Sequence, residues 1–178
     1  MRVVAGTARG RRLAAPPGLA TRPTSDKVRG ALFNVLGQFF EGGRVLDLYA
    51  GSGALALEAL SRGCDSAVCV EGDRRAAECI RGNAAACGLS DRVEVRCEPV
   101  AAALRRLPAA SFHLAFLDPP WAEGPEEALR AAAPLLVPGG TVAAEHDARR
   151  PPAAGIPGLQ LLERRAWGRT GISIYRRE

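Results

Sequence analysis

The sequence has few of the residues that build metal centres and disulfide frameworks. Its 178 residues include only two histidines, and none of its five cysteines forms a C-x-x-C pair. A metal site or a set of disulfide bridges is therefore not expected. We expect reduced, mostly buried thiols instead, as in proteins of the cytosol.

Long apolar runs are also missing. No stretch approaches the roughly 18 apolar residues that a membrane-spanning helix needs. The first twelve residues, MRVVAGTARGRR, lack the apolar centre of a secretory signal. We therefore expect a cytoplasmic protein without a membrane partner. The length and the hydrophobic content of 47% fit one globular domain.

Lysine is nearly absent, and the positive charge is unevenly distributed. Residues 1–29 carry seven basic side chains against one acidic one, whereas the rest carries 17 against 18. Arginine-rich composition alone explains the choice of Arg over Lys, but it does not explain the clustering. The cluster predicts a polyanionic partner, a nucleic acid, held by the N-terminal segment. The candidate contacts are Arg2, Arg9, Arg11, Arg12, Arg22, Thr24, Lys27 and Arg29.

Apolar runs alternate with helix-like segments, which predicts an α/β fold with a mainly parallel sheet covered on both faces. Strands are expected at 45–48, 67–71, 92–97, 112–118 and 140–145. Helices are expected at 54–63, 73–87, from 99 to about 107, and 126–136. The segments 159–167 and 172–175 have no helix between them and predict an antiparallel hairpin at the sheet edge.

The N-terminal region is expected to contain two elements. Residues 1–14 suggest a short β-hairpin. Apolar residues at helical spacing then predict an amphipathic helix that begins near residue 24 and includes Val28, Leu32 and Phe39. We divide the chain into a basic hairpin extension, residues 1–21, and a main domain, residues 22–178.

The chemistry is expected at the carboxyl ends of the strands, where open α/β sheets bind their ligands. Asp47 and the loop Tyr49–Gly53 follow the first strand, and this glycine loop allows a ligand to approach the backbone. Glu71 ends the second strand, and its carboxylate suits two ribose hydroxyls. Glu98 ends the third strand.

The segment Asp118-Pro119-Pro120-Trp121 at the end of the fourth strand is the most specific signal. Two prolines remove two backbone donors, which leaves carbonyl groups and a carboxylate as acceptors beside an aromatic ring. This surface fits a planar base that carries an exocyclic amine. Asp118 and the Pro119 carbonyl would accept the amine hydrogens while Trp121 stacks on the ring. Catalysis would then depend mainly on positioning, with proton loss afterwards.

The segments DLYAGSG (47–53) and DPPW (118–121), together with Glu71, resemble the motifs of class I S-adenosylmethionine-dependent amino-methyltransferases. The similarity is closer to the RsmD family, which methylates a guanine N2 in bacterial 16S rRNA, and it extends to RVVAGTARGRRL (2–13), RPTSDKVRGALFNVL (22–36) and WGRTGISIYR (167–176). The chain differs from the family pattern at three places. Trp121 replaces a tyrosine, Gly30 an acidic residue, and Glu98-Pro99 an aspartate region.

The resemblance implies a Rossmann-like fold with a seven-stranded, mainly parallel sheet, and 16S rRNA as substrate, free or within a 30S subunit. It also implies S-adenosylmethionine as cofactor, with S-adenosylhomocysteine as product. Apart from the resemblance, we expect a monomer without a metal. The implied cofactor-binding residues are Asp47, Tyr49, Ala50, Gly51, Ser52, Gly53, Glu71, Gly72 and Glu98. The implied catalytic residues are Asp118, Pro119, Pro120 and Trp121.

Three other functions remain open. A DNA adenine or cytosine amino-methyltransferase shares the D-P-P-aromatic motif, although 178 residues leave no room for a separate DNA-recognition domain. A non-catalytic RNA-binding module could keep the fold, but the retained Asp118 and glycine loop favour an enzyme. A dehydrogenase is disfavoured because no His or Tyr accompanies the loop as an acid–base group.

Overall fold

The computed structural model describes residues 1–16, 26–120 and 122–178 of the chain. Its centre is a seven-stranded sheet with the strand order β3-β2-β1-β4-β5-β7-β6. The strands are β1 (Arg44–Leu48), β2 (Ser66–Glu71), β3 (Val93–Cys97), β4 (Phe112–Leu117), β5 (Leu136–Asp147), β6 (Leu159–Trp167) and β7 (Thr170–Arg177). The helices are α1 (Asp26–Leu36), α2 (Ala54–Ser61), α3 (Arg74–Ala86), α4 (Val100–Leu104) and α5 (Glu126–Ala132).

Strands β1 to β5 pair in parallel, and β7 pairs antiparallel with both β5 and β6. The expected Rossmann-like fold with an antiparallel C-terminal hairpin is therefore confirmed. The chain leaves β1 toward β2 and later returns to place β4 on the other side of β1. This reversal creates a crevice at the carboxyl end of β1, where ligands of such sheets bind.

The apolar residues of the strands alternate between two cores, one on each face of the sheet. Val45, Cys69 and Phe116 contribute to the first core, together with α1, α2 and part of α3. Leu46 and Leu117 contribute to the second, together with α4 and α5. Successive side chains of a strand point to opposite faces of the sheet. The core to which a strand residue belongs therefore tells on which face the residue two positions later lies.

The N-terminal segment packs on the first core. One antiparallel bridge joins Arg2 and Arg12 and supports the expected hairpin. The backbone N–H groups of Val4 and Ala5 donate to the buried carboxylate of Glu58 on α2, at 2.8 and 3.0 Å. Thr7 donates its N–H to the Ser61 carbonyl oxygen at 2.8 Å. These contacts hold the basic segment against α2.

The structure differs from the sequence expectations in several details. Helix α1 ends at Leu36 and Phe39 is 67% exposed, so its assignment to the buried helix face is wrong. Helix α4 is shorter than expected. Strand β5 begins four residues earlier than expected, because the Pro138–Gly140 region, which resembles a loop in sequence, forms an irregularity within the strand.

Two expectations from composition have mixed outcomes. All five cysteines are free thiols, but only Cys64 and Cys69 are buried, so the expectation of mostly buried thiols is wrong in part. None of the helices in the described ranges is long and apolar enough to cross a bilayer. The proposed boundary between residues 21 and 22 lies outside the described residues.

Candidate active site

Four neighbouring strands carry an acidic side chain near their carboxyl ends. The register pairs Asp47 with Cys69 and with Phe116, so Glu71 and Asp118 each lie two positions further along. Leu117 pairs with Ala144, which places Glu145 beside Asp118. Residues two positions before all four acids belong to the first core. The four acids, Asp47, Glu71, Asp118 and Glu145, therefore share one face, and we call them the acidic edge.

The loop after β1 has a backbone that only a few residue types adopt easily. Tyr49, Gly51 and Gly53 all have positive φ, at 63°, 55° and 74°. A Cβ atom on Gly53 would lie 2.9 Å from Cγ2 of Ile80, whereas on Gly51 it would meet only the Tyr49 carbonyl oxygen at 4.0 Å. Gly53 is thus required by packing, and Gly51 leaves open space in which a ligand can approach the backbone.

Glu71 is held in place by two backbone donors. Its carboxylate accepts the N–H of Gly51 at 2.8 Å and the N–H of Asp73 at 2.9 Å. The N-cap of α3 is supplied instead by Asp73, which accepts the Ala76 N–H at 2.8 Å. Capping is therefore not the role of Glu71. The carboxylate is oriented, and it retains lone pairs for further donors.

Asp47 and Asp118 are both destabilised as anions. Burial raises the pKa of Asp47 to about 7. The hydrogen bond that Asp47 accepts from the Ala56 N–H, at 3.2 Å, lowers this pKa, whereas the charge of Glu71 raises it. Burial also raises the pKa of Asp118 to about 8, with further contributions from the charges of Glu145 and Asp47. A bound cation near these groups would lower both pKa values.

A cavity of about 140 Å³ lies next to Asp118, between the loop after β4 and the end of β5. Pro119, which is buried, contributes to its wall, as do Glu123 and Glu145. Pro120 is exposed. Trp121 lies outside the described residues, so its expected stacking role stays a prediction.

The remaining cofactor candidates surround the same loop. The buried Ala50 donates its N–H to the Val70 carbonyl oxygen at 3.0 Å. The Ser52 carbonyl oxygen accepts from Nδ2 of Asn83 at 2.9 Å. Gly72 is exposed beside Glu71. Glu98 donates its N–H to the Glu71 carbonyl oxygen at 3.1 Å, while its carboxylate pairs with Arg106.

The predicted nucleic-acid contacts divide into three groups. Arg29 is fully buried and pairs with Asp26 and Glu58, so the prediction that it contacts RNA is wrong. Its charge instead supports the packing of α1 against α2. Arg22 and Thr24 lie outside the described residues. The exposed members are Arg2, Arg9, Arg11, Arg12 and Lys27.

Sequence reasoning missed two residues of this region. Glu145 was recognised only as the last residue of a strand, although an acid at that position on a parallel strand was a usable signal. Asn83 was missed because nothing in a helical segment marks a single amide. Its side chain joins the Ser52 carbonyl oxygen to the Ala14 backbone, through bonds of 2.8 and 3.0 Å to Ala14.

The acidic edge suits a ligand that combines positive charge with hydrogen-bond donors. Ionised carboxylates and carbonyl oxygens accept hydrogen bonds but do not donate them. Within residues 1–16, 26–120 and 122–178, no group of three or more His, Cys, Asp or Glu side chains could hold a metal ion. Organic cations, hydroxyl groups and amines are the ligands that this chemistry recognises.

Comparison with known proteins places the chain in a family. The model described as "Conserved hypothetical protein 95" matches residues 1–176. A Bacillus subtilis protein named "Putative rRNA methyltransferase YlbH" is 36% identical over 99% of both chains. "Ribosomal RNA small subunit methyltransferase D" of Escherichia coli is 35% identical over 70% of this chain and 62% of its own length.

A solved structure has the same architecture over the whole chain. It is titled "Putative methyltransferase yhhF from Escherichia coli", with a TM-score of 0.85, 29% identity, and coverage of 100% of this chain and 98% of its own. The family model and the relatives agree with the resemblance seen in the motifs. The chain therefore belongs to the RsmD family of methyltransferases, whose family model carries the description "Conserved hypothetical protein 95".

Proposed function

We propose that the protein transfers a methyl group from S-adenosylmethionine to the exocyclic N2 amine of a guanine in 16S rRNA. The observation that supports this most strongly is the acidic edge, which puts Asp118 one strand away from the glycine loop. The names of the Bacillus subtilis and Escherichia coli relatives describe rRNA methyltransferases, which supports an rRNA substrate. We further propose that the protein acts as a monomer on rRNA that is free or within a 30S subunit.

The residues around the loop fit the cofactor. The open space at Gly51 admits a ligand against the backbone, and the orientation of Glu71 suits two neighbouring ribose hydroxyls. S-adenosylmethionine, when bound, supplies an electrophilic methyl group on a positively charged sulfur. Asp47, Tyr49, Ala50, Ser52 and Gly53 would line its methionine part. Glu98 and Gly72 would lie near the adenosine.

The chain's own contribution to the reaction is to orient the amine. The Asp118 carboxylate and the Pro119 carbonyl oxygen would accept the two amine hydrogens, which directs the nitrogen lone pair at the methyl carbon. When bound, S-adenosylmethionine would supply the methyl group to the amine nitrogen and leave as S-adenosylhomocysteine. One amine hydrogen would then leave as a proton. Asp118, which accepts a hydrogen bond from the amine, is placed to take this proton before its release to solvent.

Transfer of tritium from labelled S-adenosylmethionine to 16S rRNA tests this proposal. The rRNA should come from a strain that lacks the protein. Wild-type protein should label it, and Asp118→Ala should lose more than about 100-fold in rate while it still binds the cofactor. Absence of transfer to any RNA by the wild type would favour the binding-module alternative. Full activity of Asp118→Ala would contradict the proposed site.

We propose that the exposed basic residues of the N-terminal segment bind the RNA backbone. They lie on the side of the sheet that carries the first core, because Glu58 and Ser61 of α2 hold the segment there. The triple variant Arg9→Ala, Arg11→Ala, Arg12→Ala should weaken RNA binding and reduce the salt slope of log K by about 2.

A matched control is Arg105→Ala, because Arg105 is exposed at the end of α4, which packs on the opposite face of the sheet. This variant should leave the slope within the error of the wild type. Equal slopes for wild type and triple variant would contradict RNA binding by the N-terminal segment.

A further inference from the structure

The acidic edge contains one carboxylate that the proposed reaction does not use. Glu145 lies at the end of β5, next to Asp118 in the sheet and on the same face. It also lines the cavity of about 140 Å³ to which Pro119 contributes. The charge of Glu145 is close enough to Asp118 to raise the pKa of that residue.

We propose that Glu145 determines base identity by accepting the N1–H of the target guanine. This inference rests on the proposed function, because it assumes that the target amine is held by Asp118 and Pro119. Strand β4 lies between β1 and β5. With the amine at the end of β4 and the cofactor at the end of β1, the adjacent ring nitrogen of the base would face β5.

The three bases with an exocyclic amine differ at this ring nitrogen. Guanine carries a hydrogen on N1 beside its amine, whereas adenine N1 and cytosine N3 are bare acceptors at neutral pH. A carboxylate opposite N1–H gains a charge-assisted hydrogen bond. When the ring nitrogen is bare, it and the carboxylate oxygen are both acceptors, so no hydrogen bond forms between them. Glu145 therefore selects guanine both by attraction and by rejection of the alternatives.

This assignment also explains why two acids lie side by side at the ends of β4 and β5. A single carboxylate suffices to orient an amine, and the amine is common to three bases. The second acceptor supplies the discrimination that the first one lacks.

The test compares Glu145→Gln with Glu127→Gln, which removes an exposed carboxylate of α5 that does not line the cavity. Kinetics are measured with 16S rRNA from a strain that lacks the protein. Glu145→Gln should lower kcat/KM for guanine methylation at least tenfold, while it keeps a cooperative thermal unfolding transition and binds the cofactor within twofold of wild type. Glu127→Gln should stay within threefold of the wild-type kcat/KM. Wild-type rates in Glu145→Gln, or a larger loss in Glu127→Gln, would overturn the proposal.

A base analogue separates base reading from a structural role. 2-Aminopurine keeps the amine at C2 but has no hydrogen on N1. We would place it at the modified position in a 16S rRNA assembled by ligation. Wild-type protein should methylate it at least tenfold more slowly than guanine. Glu145→Gln should reduce the ratio of the guanine rate to the 2-aminopurine rate, because the Gln amide can donate a hydrogen bond to the bare nitrogen.

The outcomes distinguish the two proposals. A wild-type protein that methylates guanine and 2-aminopurine equally, or an unchanged ratio in Glu145→Gln, would refute the role of Glu145 and leave the methyltransferase intact. A wild-type protein that transfers no methyl group to the guanine RNA would instead refute the proposed function itself.

Discussion

Replacing Asp118 by Asn should make the stability of the protein less sensitive to alkaline pH. Burial and two neighbouring carboxylates raise the pKa of Asp118 to about 8 in the folded protein, against an ordinary value of 3.8. Since the folded pKa exceeds the unfolded one, the stability contributed by the protonated form is present at low pH. It is lost as the pH rises through about 8. Asn stays neutral throughout and avoids this loss.

The size of the effect follows from the pKa difference. One pKa unit corresponds to about 1.4 kcal/mol, so a shift of about four units sets a ceiling near 6 kcal/mol. Asp118 is half-buried and retains some solvation. We therefore expect the free energy of unfolding of Asp118→Asn to gain about 2 kcal/mol on the wild type between pH 5 and pH 9.

Urea denaturation at constant ionic strength, at pH 5, 7 and 9 and without cofactor, measures this change. Asp91→Asn is the control, because Asp91 is exposed in the turn before β3, outside the acidic edge. Its pH profile should parallel that of the wild type. A parallel profile for Asp118→Asn as well would refute the reasoning that the acidic edge is destabilised by its own charge.

The same linkage makes cofactor binding depend on pH. A cation at the acidic edge would stabilise the ionised forms of Asp47 and Asp118, so its binding should release protons between about pH 6 and pH 8. Cofactor affinity, measured by calorimetry in two buffers of different ionisation enthalpy, should rise over this range. An affinity that falls with increasing pH would contradict a cationic ligand at this site.

Two further predictions concern the loop and the buried ion network. Gly51→Ala should lower the free energy of unfolding by about 1 kcal/mol because φ is positive, and it should weaken cofactor binding at least tenfold. Gly53→Ala should lower the free energy of unfolding by about 2 kcal/mol or more, since its Cβ also meets Ile80. Calorimetric melting measures both changes in stability. Glu58→Gln should lower the free energy of unfolding by about 3 kcal/mol, because the buried Arg29 and Arg62 lose their charge partner. The control Glu78→Gln, in an exposed ion pair with Arg74, should change it by less than about 1 kcal/mol.

Much of the fold could be predicted from the sequence because the parallel strands are buried on both faces. Such strands appear as short apolar runs, and the helices between them have the lengths that crossover connections need. The early start of β5 could not be predicted, since Pro138 and two glycines usually mark a loop. Leu136 before this segment and Thr141–Ala144 after it pair with β4, which keeps the segment in the strand despite its composition.

The site could be predicted in part because its acids stand at strand ends. The sequence indicates Asp47, Glu71 and Asp118 by this position together with the glycine loop and the D-P-P-W segment. Arg29 was misjudged because charge clustering in a sequence does not reveal which side chains are buried against Glu58. The link that Asn83 makes between the loop and the N-terminal segment depends on two elements far apart in sequence, and no local pattern encodes it.

Mass analysis of RNA nucleosides after reaction with trideuteromethyl-labelled S-adenosylmethionine tests the central claim most directly. The substrate is 16S rRNA, free and within 30S subunits, from a strain that lacks the protein. The account predicts a trideuterated N2-methylguanosine as the product. Label in another nucleoside, or in none, would contradict an acidic edge built to orient a guanine amine.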